Sequence, residues 1–531
     1  MMKSLFQVNG APFFSIGGQT NNSSTYHAEA MRQAFKGIEA MGMNTIAAPV
    51  YWELLEPRKN EYCFEQIDMI LEEAEARKLK VILLWFGSWK NGASHYIPEW
   101  MKREKETYGV CKNKSGMDTA ILSPLCEKNM EKDAEAFERL VRHVREKNAN
   151  GTVLALQVEN EPGHLGTPRD YSETANQVYE SLIPEELFQW IRTLREGSVY
   201  DCVSEHNCEE WKNWQMTFGF HAPEIFSAYY VCKYIEKIAE RGKSIYDILM
   251  YVNVWVRETS NRIAGIDYPS GGGTSLVLDL WKAFAPHIDC IAPDIYFESY
   301  EIYNEICSIY KRADNLLYIP ESKANGNNGR HLLRMIEKHE LSSVHCFAID
   351  SIFDGKGNIK EECLDYKDTI SVLAAMKPLI EKYHGTGRIY AVAQYEGMDS
   401  QFIDFGDYYG RVYYLNCISD EAYIHLDPSH NEEEYISQIA KGLIIYEGNG
   451  SFYLAGRGYK LILIKKTSLE EMSDILVSYK QIAARNISYF KVEEGYFDEE
   501  NRFKVTRKRN GDESDMGLWV EPDIGVLHVE L

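Results

Sequence analysis

The sequence predicts an α/β chain, a (β/α)8 barrel (a TIM barrel) followed by a C-terminal antiparallel β-sandwich domain. Three observations lead there. Over the first two-thirds of the 531 residues, short apolar runs alternate with helical stretches, the pattern of parallel βα units. Eight such runs fall within about 380 residues, a span that a barrel with insertions occupies. After His384-Gly385-Thr386-Gly387 the rhythm changes to short runs rich in Tyr, Val and Ile, broken by Gly or Asp, as in antiparallel sheets.

The elements can be placed in order. Residues 12–18 read as the first strand, leaving a hairpin-like start, and 29–41 carry helical spacing. The second strand is expected at 44–50, an amphipathic helix at 67–76 and the third strand at 80–86. A charged helix at 127–145 leads into the fourth strand at 152–158. Strands five to eight are expected at 250–255, 288–293, 316–319 and 344–349, with a helix at 369–382 closing the ring. Runs at 389–395, 410–416, 443–446 and 459–465 supply the β-rich part. The expected domains are therefore 1–383, the barrel, and 384–531, the sandwich.

Composition narrows the function. With 45% hydrophobic and 26% charged residues the chain is globular. Its net charge of −23 repels phosphate backbones, so no nucleic-acid partner is expected. The first ten residues hold no apolar run of signal-peptide length, and no window approaches the length of a membrane span. The 11 cysteines are scattered singly, without a Cys-x-x-Cys pair, and read as reduced thiols in a cytoplasmic protein. Cys202, His206 and Cys208 are zinc-ligand types, but their spacing fits no finger or ribbon and no fourth ligand is evident. No metal and no cofactor are expected.

In a barrel, chemistry gathers at the C-terminal ends of the strands. The fourth strand ends Gln157-Val158-Glu159-Asn160-Glu161-Pro162, and the seventh ends Tyr318-Ile319-Pro320-Glu321. Each delivers a carboxylate to the same mouth. Paired carboxylates suit hydrolysis of a glycosidic bond, where one donates a proton to the leaving oxygen and the other attacks the anomeric carbon. On that reading Glu161 is the general acid/base and Glu321 the nucleophile. Asn160 is placed to bond the sugar 2-hydroxyl. Trp89, Lys90 and Asn91 form a third-strand loop that either reads sugar hydroxyls or is a solvated loop around a buried Trp. Trp52 and Glu53 sit at the second-strand exit, Trp52 as a sugar platform or as a core plug. Trp211, Trp214 and Trp255 read as core in preference to an aromatic wall.

These strings carry a resemblance. Asn160-Glu161 closing the fourth strand, with Glu321 closing the seventh, resembles the retaining (β/α)8 glycoside hydrolases. Leu156-Gln157-Val158-Glu159-Asn160-Glu161 is similar to glycoside hydrolase family 35, the β-galactosidases. Trp52-Glu53-Leu54-Leu55-Glu56-Pro57, with Tyr62, Phe64 and Asp68, resembles that family and the related family 42. Trp85 to Gly92, Tyr268 to Gly272 and Ala292 to Tyr296 look like a bacterial branch of family 35 with a β-rich C-terminal domain. The resemblance implies that Tyr296 hydrogen-bonds the nucleophile, and it implies a homodimer. Two positions depart from the pattern: Lys323 and Pro49 stand where the family carries aromatic residues that shape the sugar pocket.

The expected activity is that of a retaining exo-β-glycosidase acting on a small carbohydrate or glycoside, with β-galactosidase first. The alternatives are a glucose-, fucose- or arabinose-specific glycosidase or transglycosylase, and a non-catalytic carbohydrate-binding protein.

Overall fold

The computed structural model describes residues 6–203, 210–417, 438–466, 487–515, 517–521 and 525–531. The chain divides into two compact units. One holds 1–39, 44–323 and 343–351, the other 40–43, 324–342 and 352–531.

The first unit is built on a parallel sheet of seven strands. Their order is Cys290–Asp294, Leu249–Trp255, Val153–Asn160, Lys80–Lys90, Thr45–Tyr51, Ser15–Gln19 and Ser343–Cys346. The remaining position, the seventh in chain order and expected as a regular strand at 316–319, holds an irregular extended segment instead. Parallel bridges Ile319↔Val344 and Ile295↔Ser322 tie it to both neighbours and close the ring. Pro320 in this segment has no N–H to give to a ladder, which explains the broken pairing.

Burial on both faces explains why the barrel strands read as continuous apolar runs. Every residue of Thr45–Tyr51 and of Val153–Asn160 is buried. Ala47, Tyr51, Ile82, Leu84, Tyr251 and Tyr318 fill one core cluster, and each large apolar side chain so buried stabilises the fold by about 1.5–3 kcal/mol. Outside the sheet, helices Glu127–Lys147 and Ala222–Ile245 pack through Phe137 and Gly242. A Cβ at Gly242 would lie 2.7 Å from Phe137 Cε1, so only glycine allows that approach.

The second unit carries two antiparallel sheets. Six strands follow the order Ile389–Ala393, Lys441–Gly448, Ser451–Arg457, Val526–Glu530, Lys491–Phe497, Phe503–Lys508. Four follow the order Ser400–Asp404, Tyr408–Tyr414, Tyr459–Lys465, Leu518–Val520. Val392, Leu454 and Val529 of the larger sheet share one core with Val412, Leu461 and Leu518 of the smaller, as in a sandwich. Helices Gly326–His339 and Glu361–Tyr383 also belong to this unit, so the division falls before residue 384. Among the described residues, no helix is long and apolar enough to cross a membrane.

Candidate active site

The fourth strand ends in an unusual turn of the backbone. Glu159 and Glu161 have φ of +64° and +44°, a left-handed region that residues other than glycine occupy at a cost. The turn separates three successive side chains. Glu159 accepts hydrogen bonds from the Ser88 and Trp89 N–H groups at 3.0 and 2.6 Å. Asn160 is buried at the strand end. Glu161 lines the cavity, and its own N–H donates to Asn253 Oδ1 at 2.9 Å.

Three carboxyl groups meet at the mouth. Glu321 accepts from Gln19 Nε2 at 2.7 Å and from the Tyr296 hydroxyl at 2.8 Å. Asp294, which ends the sixth strand, accepts from Asn253 Nδ2 at 2.8 Å. Oxygens of Glu161, Asp294 and Glu321 lie within 4.8 Å of one another, and all three residues are buried.

Burial and like charge separate their proton affinities. The Glu161 carboxyl is pushed up to about 7 by burial first and by the charge of Glu321 second, against the pull of Lys90. Burial and then the charges of Glu321 and Glu161 hold Asp294 well above the usual carboxyl range. Tyr296 is likewise raised by burial and by Glu321, so its phenol stays protonated as a donor. One carboxyl poised to keep its proton near neutrality beside another held by two donors is a division of labour suited to acid and nucleophile.

The cavity they line measures about 390 Å³, a size typical of small-molecule sites. Asn22, Lys90, Asn91, Trp255, Val256, Phe297 and Phe347 complete it. Several polar atoms in and around it are buried without a partner: both amide atoms of Asn160, Gln19 Oε1, Asn22 Oδ1 and Asp294 Oδ1. Buried polar groups are ordinarily hydrogen-bonded, so this cluster of open donors and acceptors fits a polyhydroxylated ligand.

The residues singled out from sequence divide into two sets. Glu161, Glu321, Tyr296, Lys90 and Asn91 line the cavity together, with Asn160 beside them. Trp52, Glu53 and Trp89 do not. Trp52 starts a short helix, Trp52–Leu55, directly after the second strand and is a core plug, its Nε1 bonded to Glu56 Oε2 at 3.0 Å. Glu53 accepts from the Tyr26 hydroxyl and pairs with Lys102 at 3.4 Å. Trp89 is fully buried, edge-on to Tyr234 with ring centroids 4.8 Å apart. Trp214 is core and Trp211 stacks on Phe188. Trp255, expected in the core, is 39% exposed and lines the cavity. Lys323 pairs with Glu298 at 2.7 Å, and Pro49 is buried in the second strand. His206 and Cys208 lie outside the described residues.

Sequence reading missed Gln19, Asn22, Asn253 and Asp294. Their signal was modest: a polar side chain at or just past the end of an apolar strand. It also missed a buried acid pair, Asp133 and Glu159, raised by burial and joined through Ser88. That pair fixes the backbone that carries Lys90 and Asn91. Glu161, Asp294 and Glu321 form the one group among the described residues whose oxygens could converge on a cation. A cation there would take the same oxygens that the acid and nucleophile need.

Part of the barrel resembles a known family. Residues 22–211 match the model of the glycoside hydrolase family 42 β-galactosidases, a stretch that includes Glu161 but not Glu321. The matching model is that of family 42 and not of family 35, to which the short strings were closest. Residues 367–521 match a domain of unknown function (DUF5597). No curated protein matches the chain. Among solved structures, a catalytic mutant of a family 42 β-galactosidase from G. stearothermophilus is 15% identical, with a TM-score of 0.50. It covers 71% of this chain and 59% of its own. A β-galactosidase from Rahnella sp. R3 is 14% identical over 71% of this chain and 58% of its own, with a TM-score of 0.49. The catalytic domain of a β-amylase from Paenibacillus polymyxa is 14% identical over 68% of this chain and 98% of its own, with a TM-score of 0.48. The chain thus spans somewhat more than half the length of the two β-galactosidases. The first of them shares the barrel fold.

Proposed function

We propose that the protein is a retaining exo-β-glycosidase, in the first place a β-galactosidase, acting on terminal β-galactosyl residues of small glycosides. The observation that carries this reading is the approach of Glu161 and Glu321, one carboxyl oxygen of each lying within 4.8 Å of the other. Retaining enzymes hold their carboxyl groups about 5–5.5 Å apart, whereas inverting enzymes leave roughly 6.5–9.5 Å for a water. In the first step Glu161 gives its proton to the leaving oxygen while Glu321 attacks the anomeric carbon, forming a glycosyl ester. In the second, Glu161 takes a proton from water, whose oxygen displaces Glu321 from that carbon. Tyr296 and Gln19 orient Glu321 through their hydrogen bonds, and Asn160 meets the 2-hydroxyl with its unpartnered amide.

The test is turnover of aryl β-galactoside, glucoside, fucoside and arabinoside side by side, with the first-formed anomer followed by NMR. Fastest turnover of the galactoside with retained configuration supports the proposal. Preference for another glycone moves the specificity alone, and inversion removes the mechanism. Transfer to added alcohol in place of water would make the enzyme a transglycosylase. Failure on every glycoside, with sugar still bound, would leave a carbohydrate-binding protein. A cytoplasmic address belongs to the same proposal and is supported by ten described cysteines that are free thiols. So does a homodimer, which a monomeric mass in sedimentation would remove.

A further inference from the structure

Asp294 has no role in the two-carboxylate scheme, yet it stands among the reacting groups. Asn253 ties it to the acid/base: the same amide accepts from the Glu161 N–H and donates to Asp294 Oδ2. The other oxygen, Oδ1, is buried with no donor among the described residues. An ionised carboxylate oxygen left so is costly, whereas a protonated one becomes a donor itself. Its acceptors within the 4.8 Å group are Glu161 and Glu321, and Glu321 already has two donors.

We propose that Asp294 is a positioning residue that keeps its own proton beside Glu161, donating a hydrogen bond to the Glu161 carboxylate each time the acid/base gives up its proton. This rests on the assignment of Glu161 as acid/base. The proton count closes. The resting site carries a proton on Glu161 and one on Asp294, with Glu321 ionised. Cleavage moves the Glu161 proton to the leaving oxygen, while Glu321 becomes a neutral ester and Asp294 keeps its proton, now directed at the Glu161 anion. Attack by water returns a proton to Glu161 and frees Glu321.

The other ionisable groups facing this pair are Lys90 from the third strand, Tyr251 from the fifth, Tyr296 after the sixth, Tyr310 from helix Tyr300–Tyr310, and Tyr318 and Glu321 from the seventh position. Burial raises all four tyrosines, so they stay neutral while Glu161 titrates. Burial also raises Asp294, as a resident proton requires.

The test compares pH profiles of kcat/KM on an aryl β-glycoside for the full chain, Asp294→Asn and Asp294→Leu. Leu fills a similar space without a donor, so the Glu161 anion loses its hydrogen bond and the alkaline limb should rise by about one pH unit. Asn keeps a donor and should leave the limb where it is. A limb that stays put in Asp294→Leu, with only kcat reduced, overturns the proposal and leaves Asp294 a packing residue. If Asp294→Leu fails to fold, infrared difference spectra of wild type against Asp294→Asn decide the matter. A carboxylic-acid C=O band assigned to Asp294 above the alkaline limb supports the proposal, and a carboxylate band in its place overturns it. Glu161→Ala with added azide tests the underlying assignment separately. Rescue as a glycosyl azide upholds Glu161 as acid/base whatever Asp294 does, and full activity without azide removes that assignment.

Discussion

Buried acids in two regions of this molecule behave in opposite ways. At the barrel mouth, Glu161, Asp294 and Glu321 crowd together with Lys90 as the cation acting on them, and burial drives Glu161 and Asp294 up. In the second unit, Asp365 meets Lys441 at 2.5 Å, Arg457 at 2.6 Å and Arg330 at 3.1 Å, and these cations hold it below the usual aspartate range despite burial. Lys441, in turn, is pushed down to about 8, chiefly by burial. The difference lies in compensation. Acids buried among cations are neutralised in place and serve the fold. Acids buried among acids remain a standing electrostatic expense, and such perturbed groups gather where chemistry needs them.

The sharpest way to break this contrast is at the proposed nucleophile. Glu321→Ala should lower kcat on an aryl β-galactoside by on the order of 10^5-fold or more, as removal of a covalent nucleophile does. Near-normal turnover in a steady-state assay would place the chemistry elsewhere. Glu161→Ala should cost about 10^2–10^4-fold, the range of general acid catalysis, with the greater loss on poor leaving groups. Because Glu161 acts as an acid only while protonated, wild-type kcat/KM should fall as pH rises through about 7.

Stability should move in opposite directions at the two clusters. Asp365→Ala strands a buried Lys441 without its nearest partner and should destabilise the second unit by about 3–5 kcal/mol at pH 7 in denaturant unfolding. The Asp365 carboxyl is lowered, so its contribution is present above the ordinary aspartate value and lost as pH falls below it. At the mouth, Glu161→Gln should stabilise the barrel by ~1–3 kcal/mol above pH 7. The raised carboxyl binds its proton more tightly in the folded state, so wild type loses stability between 4.5 and about 7. Below 4.5 the two proteins should unfold alike, and a gap persisting there would point to packing. The smallest effect belongs to Glu53→Gln, off the cavity, which should change KM by less than about 2-fold, since exposed pairs contribute little.

Much of the architecture was legible because barrel strands are buried on both faces and announce themselves as apolar runs. The seventh position was misread as regular because Leu316 to Ile319 is apolar, while Pro320 interrupts its pairing. Trp52 was ambiguous for a local reason: the backbone turns helical immediately after Tyr51, and that turn aims the indole into the core. The proposed catalytic pair stood out since each acid follows an apolar strand. Asp294 and Asn253 did not, because their importance lies in a contact across 41 residues of sequence that only the closed ring creates. The family was blurred for a similar reason, as short strings around a strand end are shared across a superfamily.

Ring closure also has a bearing on how the chain is made. Ser15–Gln19 pairs on one side with Thr45–Tyr51, but its other edge waits for Ser343–Cys346, whose Ser343 hydroxyl bonds the Ser15 carbonyl 328 residues away. During synthesis a nascent chain therefore holds Glu161, and later Glu321, before the first strand has a second neighbour. Through that interval an unpaired strand edge stays open to solvent and to other chains, the arrangement from which misassembly starts. Slower translation over the stretch between the two edges is therefore expected to lengthen that exposure and to lower the yield of folded protein.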